Sequence, residues 1–374
     1  MVRQSDQAGL AGLPADGCRP PRRRGGMIRV VAMLAAVVLL VSVAAAADDR
    51  TPQELWDAAR GGEVEAQIAL GDYYGDPEGP EPNPETAVYW YGEAMNNGSS
   101  EAAARLGEML LDGDGVEPDF GRAMEALEMA ASAGDAMAQY RLGTIHANGF
   151  GIASPDAARA RGLFELSAAQ GYPAAQATLG VFYQQGIAGA QSNERAIELF
   201  RAAAQAGHPL GQYHLGVLHL TELLGEPDPA AAKTWFERAA AQGLPQADLA
   251  LAQLYMSGRG VNPSSQKAFE LVLRAARAGL PDAQFQLGVW SAHGAFGEPD
   301  QSEAVFWYRR AAEQGHPDAQ YLMGNHLATG RGVRKDMDMA LEWLAAAARA
   351  GHPQARQRLE TYKAMQDGEA GKQE

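Results

Sequence analysis

Apolar positions in this 374-residue chain follow two rhythms at once. Over short stretches they fall at helical spacing. In AQATLGVFYQQ, Ala175 to Gln185, the residues Ala175, Leu179, Phe182 and Tyr183 share one face of a helix. Over longer stretches the same words return every 36 residues, with one step of 37: Leu-Gly pairs begin at Leu70, Leu106, Leu142, Leu179, Leu215 and Leu287, while Leu251-Ala252 and Met323-Gly324 keep the remaining beats. A second column, Gly62, Gly98, Gly134, Gly171, Gly207, Gly243, Gly279, Gly315 and Gly351, stays in phase with the first. Two columns in phase over most of the chain mark an internal repeat.

Each unit resolves into two helices. The first carries the Leu-Gly pair and ends on glycine, as in GDGV at Gly113, GFGI at Gly149 and GRGV at Gly258 and Gly330, where a left-handed cap and a turn are expected. The second repeats a bulky pair followed by small residues: Trp90-Tyr91, Leu163-Phe164, Leu199-Phe200, Trp235-Phe236, Trp307-Tyr308 and Trp343-Leu344, with Ala203-Ala204, Ala239-Ala240 or Ala311-Ala312 a turn later. Large side chains fill the space between helices and alanines let backbones approach. The recurring GHP at Gly207, Gly315 and Gly351 is punctuation, its glycine ending a second helix and Pro209, Pro317 and Pro353 starting the next first helix.

Eight repeats are predicted, at about 63–98, 99–134, 135–171, 172–207, 208–243, 244–279, 280–315 and 316–351. Half-unit caps are expected at 52–62 and 352–365, and a disordered tail at 366–374. The pattern A-x-x-x-L-G-x-x-Y, then G-x-G-V, then A-x-x-W-Y-x-x-A-A-x-x-G resembles the Sel-one-like repeat (SLR), a relative of the tetratricopeptide repeat. That resemblance implies an all-α fold, a right-handed α-solenoid of about eight 36-residue helix-turn-helix repeats with flanking half-repeat caps. It also implies protein interaction in the cell envelope as the usual role. Three places depart from the pattern: DPEGPEPNP from Asp76 in repeat one, TELLGEPDP from Thr221 in repeat five, and Ala252 in place of a glycine. They bear on local turn geometry.

The amino terminus changes the picture of where the protein works. Arg22, Arg23, Arg24 and Arg29 precede the apolar stretch Val30 to Val43, which runs into Ala45-Ala46-Ala47 and then Asp48-Asp49. This is the layout of a signal peptide, residues 1–47, with a mature start at Asp48; Met27 is an alternative start. The alternative is an uncleaved membrane anchor, since Val30 to Ala47 holds 18 residues without a charge. Periplasmic or secreted location follows from cleavage. Without residues 1–47 the chain keeps 25 basic and 44 acidic residues, which argues against nucleic acid as a partner. The single cysteine, Cys18, falls in the segment to be lost, so no disulfide or thiolate metal site is expected in the mature chain.

No catalytic motif is present: G-x-S-x-G, H-E-x-x-H and the Walker A sequence are all missing. The G-x-G turns recur as helix caps and lack the Lys-Ser/Thr of a phosphate loop. His208, His316 and His352 occupy one repeat position on separate units, and His214 and His219 are five apart, so surface or loop histidine is the reading and no metal or cofactor is expected. Cysteine-rich members of the resembling family are associated with β-lactam binding or hydrolysis. A β-lactam- or peptidoglycan-related hydrolase and an assembly chaperone therefore stand as alternatives to a non-catalytic scaffold. A protein or peptide partner and a monomeric chain are expected.

The binding surface is placed on the first helices. Once the Ala, Leu and Tyr columns are assigned to the core, a stripe at spacing 4, 3, 4 is left, which by resemblance to tetratricopeptide proteins faces a groove. In repeats one to three it includes Asp72, then Arg105, Glu108 and Asp112, then Arg141 and Asn148. It continues through Val181 and Gln185, His214 and Val217, Gln253, Val289 and Asn325. The expectation is a charged half over repeats one and two, receiving positive charge, and an apolar half at Val181, Val217 and Val289, receiving an apolar segment.

Overall fold

The structure, a computed structural model, describes residues 50–370. The expected signal peptide, cleavage site and alternative anchor lie outside the described residues, as do 371–374. Among the described residues there are eighteen α-helices, one short 3-10 turn at Glu222–Leu224 and no strand. The all-α class and the two-helix unit are thus both observed, and among the described residues no helix is long and apolar enough to cross a membrane.

Local chemistry sets the helix ends. Asp119, Asp156, Asp300 and Asp336 close the interhelix turns, and each accepts a backbone N–H of the second helix that follows, which satisfies an otherwise orphaned donor. First helices start on Pro173, Pro209, Pro245, Pro281 and Pro317, where the missing N–H costs nothing. They close on glycine with positive φ, as at Gly113 (φ 67°), a conformation that disfavours any other residue. The departures have local effects. Repeat one ends Val64–Gly75 on Asp76 in extended conformation, and repeat five shortens its first helix to Pro209–His219 and inserts the 3-10 turn. Pro353 precedes the closing helix rather than starting it; that helix begins at Ala355 and runs to Ala370, through residues 366–370 of the segment expected to be a disordered tail.

The chain divides into two compact units, the first ending at Ala202 and the second beginning at Ala203. In the first, Leu55, Ala59, Leu70 and Trp90 form the core under the leading cap, and a larger cluster runs from Ala87 to Ile145 through Leu106, Leu110 and Leu127. In the second, successive clusters centre on Phe236 and Leu251, on Val272 and Leu287, and on Tyr308, Met323 and Leu344. Each cluster joins one repeat to the next, so neighbouring repeats stabilise one another.

The Leu-Gly glycine is the tightest contact within a repeat. A Cβ at Gly143 would lie 2.7 Å from the Phe164 ring, at Gly216 2.6 Å from Phe236, and at Gly288 2.6 Å from Tyr308. A large side chain of the second helix, a ring in most repeats and leucine at Leu127 and Leu344, therefore sits on the backbone of the first. This explains Ala252: its partner position holds Val272, a smaller side chain, and both are buried in one cluster. Volume is shared between the two columns, small against large or medium against medium. Val272→Phe alone is expected to overpack and cost about 1–3 kcal/mol, and adding Ala252→Gly is expected to recover most of that loss. Urea unfolding of the two singles and the double checks this; additive costs would show that the columns are not coupled.

Candidate functional site

Successive first helices bring the predicted stripe together in a definite register. Arg105 of repeat two pairs with Asp72 of repeat one, and with Glu101 on its own helix at 2.7 Å. The Tyr91 hydroxyl donates to the same Asp72 at 2.7 Å. One repeat further on, Arg141 bridges Glu108 and Asp112 of repeat two, both at 3.1 Å. The sixth residue of Ser100–Asp112 and of Ala136–Asn148 thus meets acids of the helix before it. The charged stripe over repeats one and two thus carries internal ion pairs, with Arg105 and Arg141 each set against acids of the preceding helix. Burial pushes the Asp112 carboxyl up while Arg141 opposes it. Asp72, Asp76, Glu65 and Glu101 remain exposed.

The apolar half needs a second correction. Val181 is 6 % exposed and belongs to the core. Val217 and Val289 are part-buried and pack on the clusters around Phe236 and Tyr308. Helical spacing assigns a residue to a face, but the neighbouring helix decides how far that face is covered. Of the remaining stripe residues, Gln185 and Gln253 are exposed, and Asn148 bonds the backbone carbonyl of Thr144 at 3.0 Å. Asn325 accepts from the Tyr362 hydroxyl at 3.3 Å, tying repeat eight to the closing helix.

A buried polar column escaped the sequence reading. At the fourth position of first helices stand Gln67, Gln139, Gln212, Gln284 and Gln320, all buried. Gln139 donates to the carbonyl of Ala131 at 3.2 Å, at the end of the preceding second helix, and accepts from Gln170 at 2.9 Å, at the end of its own repeat's second helix. Gln284 repeats this with Ala276 and Gln314, and Gln67 with Ala59 and Asn97. Each clip adds a second donor to a carbonyl at a helix end and satisfies the buried amide, tying one repeat to the next. Repeat six uses Asp248 there, held by Arg274 through a two-point contact with Nε at 2.7 Å. The signal was available in sequence: glutamine returns on the same beat as the Leu-Gly pairs.

The histidines also differ from the surface reading. His316 stacks on Phe285 with centroids 4.6 Å apart and reaches Asp282 at 3.3 Å; His352 stacks on Tyr321 at 4.2 Å and reaches Asp318 at 3.3 Å. The hydrogen bond from His316 holds the Asp282 carboxyl below its ordinary range. His146 and His326 are buried, and burial lowers their proton affinity. Among the described residues no group of three or more His, Cys, Asp or Glu is placed to hold a metal ion.

Burial lowers His214 furthest, to about 4. Below pH 6.5 the unfolded chain takes up protons that the folded chain refuses, so stability is full above that pH and falls as pH drops towards 4. His214 alone is expected to account for about 2 kcal/mol lost at pH 5. Chemical denaturation at pH 7.5 and 5 should show the loss, and His214→Gln should reduce it.

The comparisons with known proteins fit this geometry. The Sel1 repeat model matches residues 64–99, 100–135, 136–172, 173–208, 209–244, 245–280, 281–316 and 317–352. Among solved structures, the chain is similar to c5321, a protective antigen present in uropathogenic Escherichia coli strains and displaying an SLR fold: identity is 29 %, the TM-score 0.56, and the match covers 83 % of this chain and 67 % of that one. A Sel1 repeat protein from Oxalobacter formigenes matches at 29 % identity with a TM-score of 0.55, covering 83 % and 89 %. No curated protein matches the sequence. Eight consecutive repeats span most of the described residues, their Leu-Gly glycines packed on a large side chain of the second helix or, in repeat six, replaced by the Ala252–Val272 pair, and the chain belongs to the Sel1 repeat family.

Proposed function

We propose that the chain is an exported, non-catalytic adaptor of the cell envelope that binds a protein partner along its first helices. Sel1 repeat proteins generally act as protein-interaction scaffolds. The observation that carries the finer reading is the inter-repeat register, in which Arg105 meets Asp72 and Arg141 meets Glu108 and Asp112. Over repeats one to three, equivalent positions of consecutive helices abut, so a partner meets a joined polar surface there rather than isolated helices. Export is supported by the basic-apolar-alanine layout before Asp48, and it suits the description of the similar Escherichia coli protein as a protective antigen.

The test is affinity capture of partners from envelope extract by the chain starting at Asp48, with mass spectrometry of what is retained. Glu65→Lys with Glu101→Lys, both at exposed stripe positions, is expected to weaken capture in a salt-dependent way while leaving the helical spectrum unchanged. Val217→Asp is unsuitable as a binding probe, because it drives a carboxylate against the Phe236 cluster. Capture unaffected by the charge reversals places the partner elsewhere. Hydrolysis of nitrocefin by the purified chain would overturn the non-catalytic reading.

A further inference from the structure

A cleft of about 120 Å³ opens in the second unit, walled by Phe269, Trp290, Phe296 and Trp307, with Glu298, Glu303 and Ser291 also lining it. Phe296 lies 4.8 Å from both Phe269 and Trp290, and its own ring is 38 % exposed. Both glutamates are exposed, and neither forms an ion pair among the described residues. Aromatic faces and two unneutralised carboxylates converge at one opening.

At the cleft, repeat seven departs from the G-x-G turn pattern. Elsewhere the second glycine of the G-x-G turn seats itself on the first turn of the preceding second helix: a Cβ at Gly151 would lie 2.7 Å from Phe120, and at Gly260 2.7 Å from Pro229. That contact closes the seam between repeats. Repeat seven reads G-A-F-G, Gly294 to Gly297, and places Phe296 where the glycine would be. The Phe296 ring stands beside Phe269 and Trp290 and lines the cleft.

We propose that this cleft is the docking site for an arginine side chain of a protein partner. The inference deepens the interaction reading and rests on it. A guanidinium is planar and weakly hydrated, so it stacks on aromatic faces, and its N–H donors need acceptors at the edge of the stack. Trp290 and Phe296 supply the faces; Glu298, Glu303 and the Ser291 hydroxyl supply the acceptors. An ammonium would surrender more hydration in an aromatic-walled site, and a quaternary ammonium would leave both carboxylates without a hydrogen-bond donor. The chain's net charge of −15 draws basic segments towards it.

The experiment titrates N-acetyl-arginine amide into the full chain, labelled at its tryptophan indoles, and follows the Trp290 N–H resonance. A saturable shift with Kd in the millimolar range is expected. Glu298→Gln with Glu303→Gln should weaken it about tenfold, and Phe296→Gly, which restores the closed turn, should abolish it. N-acetyl-lysine amide and tetramethylammonium serve as rival probes. No saturable shift, binding indifferent to the glutamates, or tighter binding of either rival overturns the assignment. Partner capture that depends on the first-helix stripe while arginine fails to bind would remove this site and leave the interaction reading standing.

Discussion

Phe236→Ala is expected to lower unfolding stability by about 3–5 kcal/mol, the usual cost of emptying a buried aromatic site. Phe236 is fully buried. Its ring presses on the Gly216 backbone and lies 5.8 Å from the Tyr213 ring. It also belongs to the cluster that includes Ala247, Leu251 and Leu254 on the next repeat. The substitution therefore opens a hole within repeat five and loosens its contact with repeat six. In a solenoid the second effect spreads, because each repeat depends on its neighbours for burial. Urea and thermal unfolding followed by circular dichroism measure the loss. A midpoint within error of the parent would mean that the ring is not the centre of this interface.

Gly216→Leu attacks the same contact from the opposite side and is expected to cost about 3 kcal/mol, at the upper end for overpacking. A bare Cβ at Gly216 already falls 2.6 Å from the Phe236 ring and 3.2 Å from the Ala232 carbonyl. The ring can turn only by disturbing the core, and the backbone carbonyl cannot yield without moving its helix. The two substitutions should interact. Leucine at 216 partly fills the space that alanine at 236 leaves, so the double variant is expected to be more stable than the sum of the single costs allows. Simple additivity would show that the two sites do not share one volume.

Much of this architecture was legible beforehand. The beat of 36, the glycines that close helices and the bulky pairs on second helices are local signals, and a helix with its cap is settled by residues within a few positions. Within the stripe, Arg105 pairs with Asp72, and Arg141 with Glu108 and Asp112. Their pairing was not legible. Arg105 finds Asp72 across 33 residues, and Gln139 finds Gln170 across 31, so the partner of each group depends on how one repeat stacks on the next.

The same reason separates the remaining cases. Spacing identified Val181, Val217 and Val289 as one column, but burial of Val181 and part-burial of the other two came from neighbouring helices. Ala252 read as a departure until Val272 stood opposite it. His316 and His352 read as loop residues until Phe285 and Tyr321 were found beneath them. A period and its helix ends are written in contiguous residues, whereas solvent access and charge pairing belong to surfaces formed only when repeats stack. Stacking therefore decided which stripe residues are core, which neutralise one another, and where Phe269, Trp290, Phe296 and Trp307 wall a cleft.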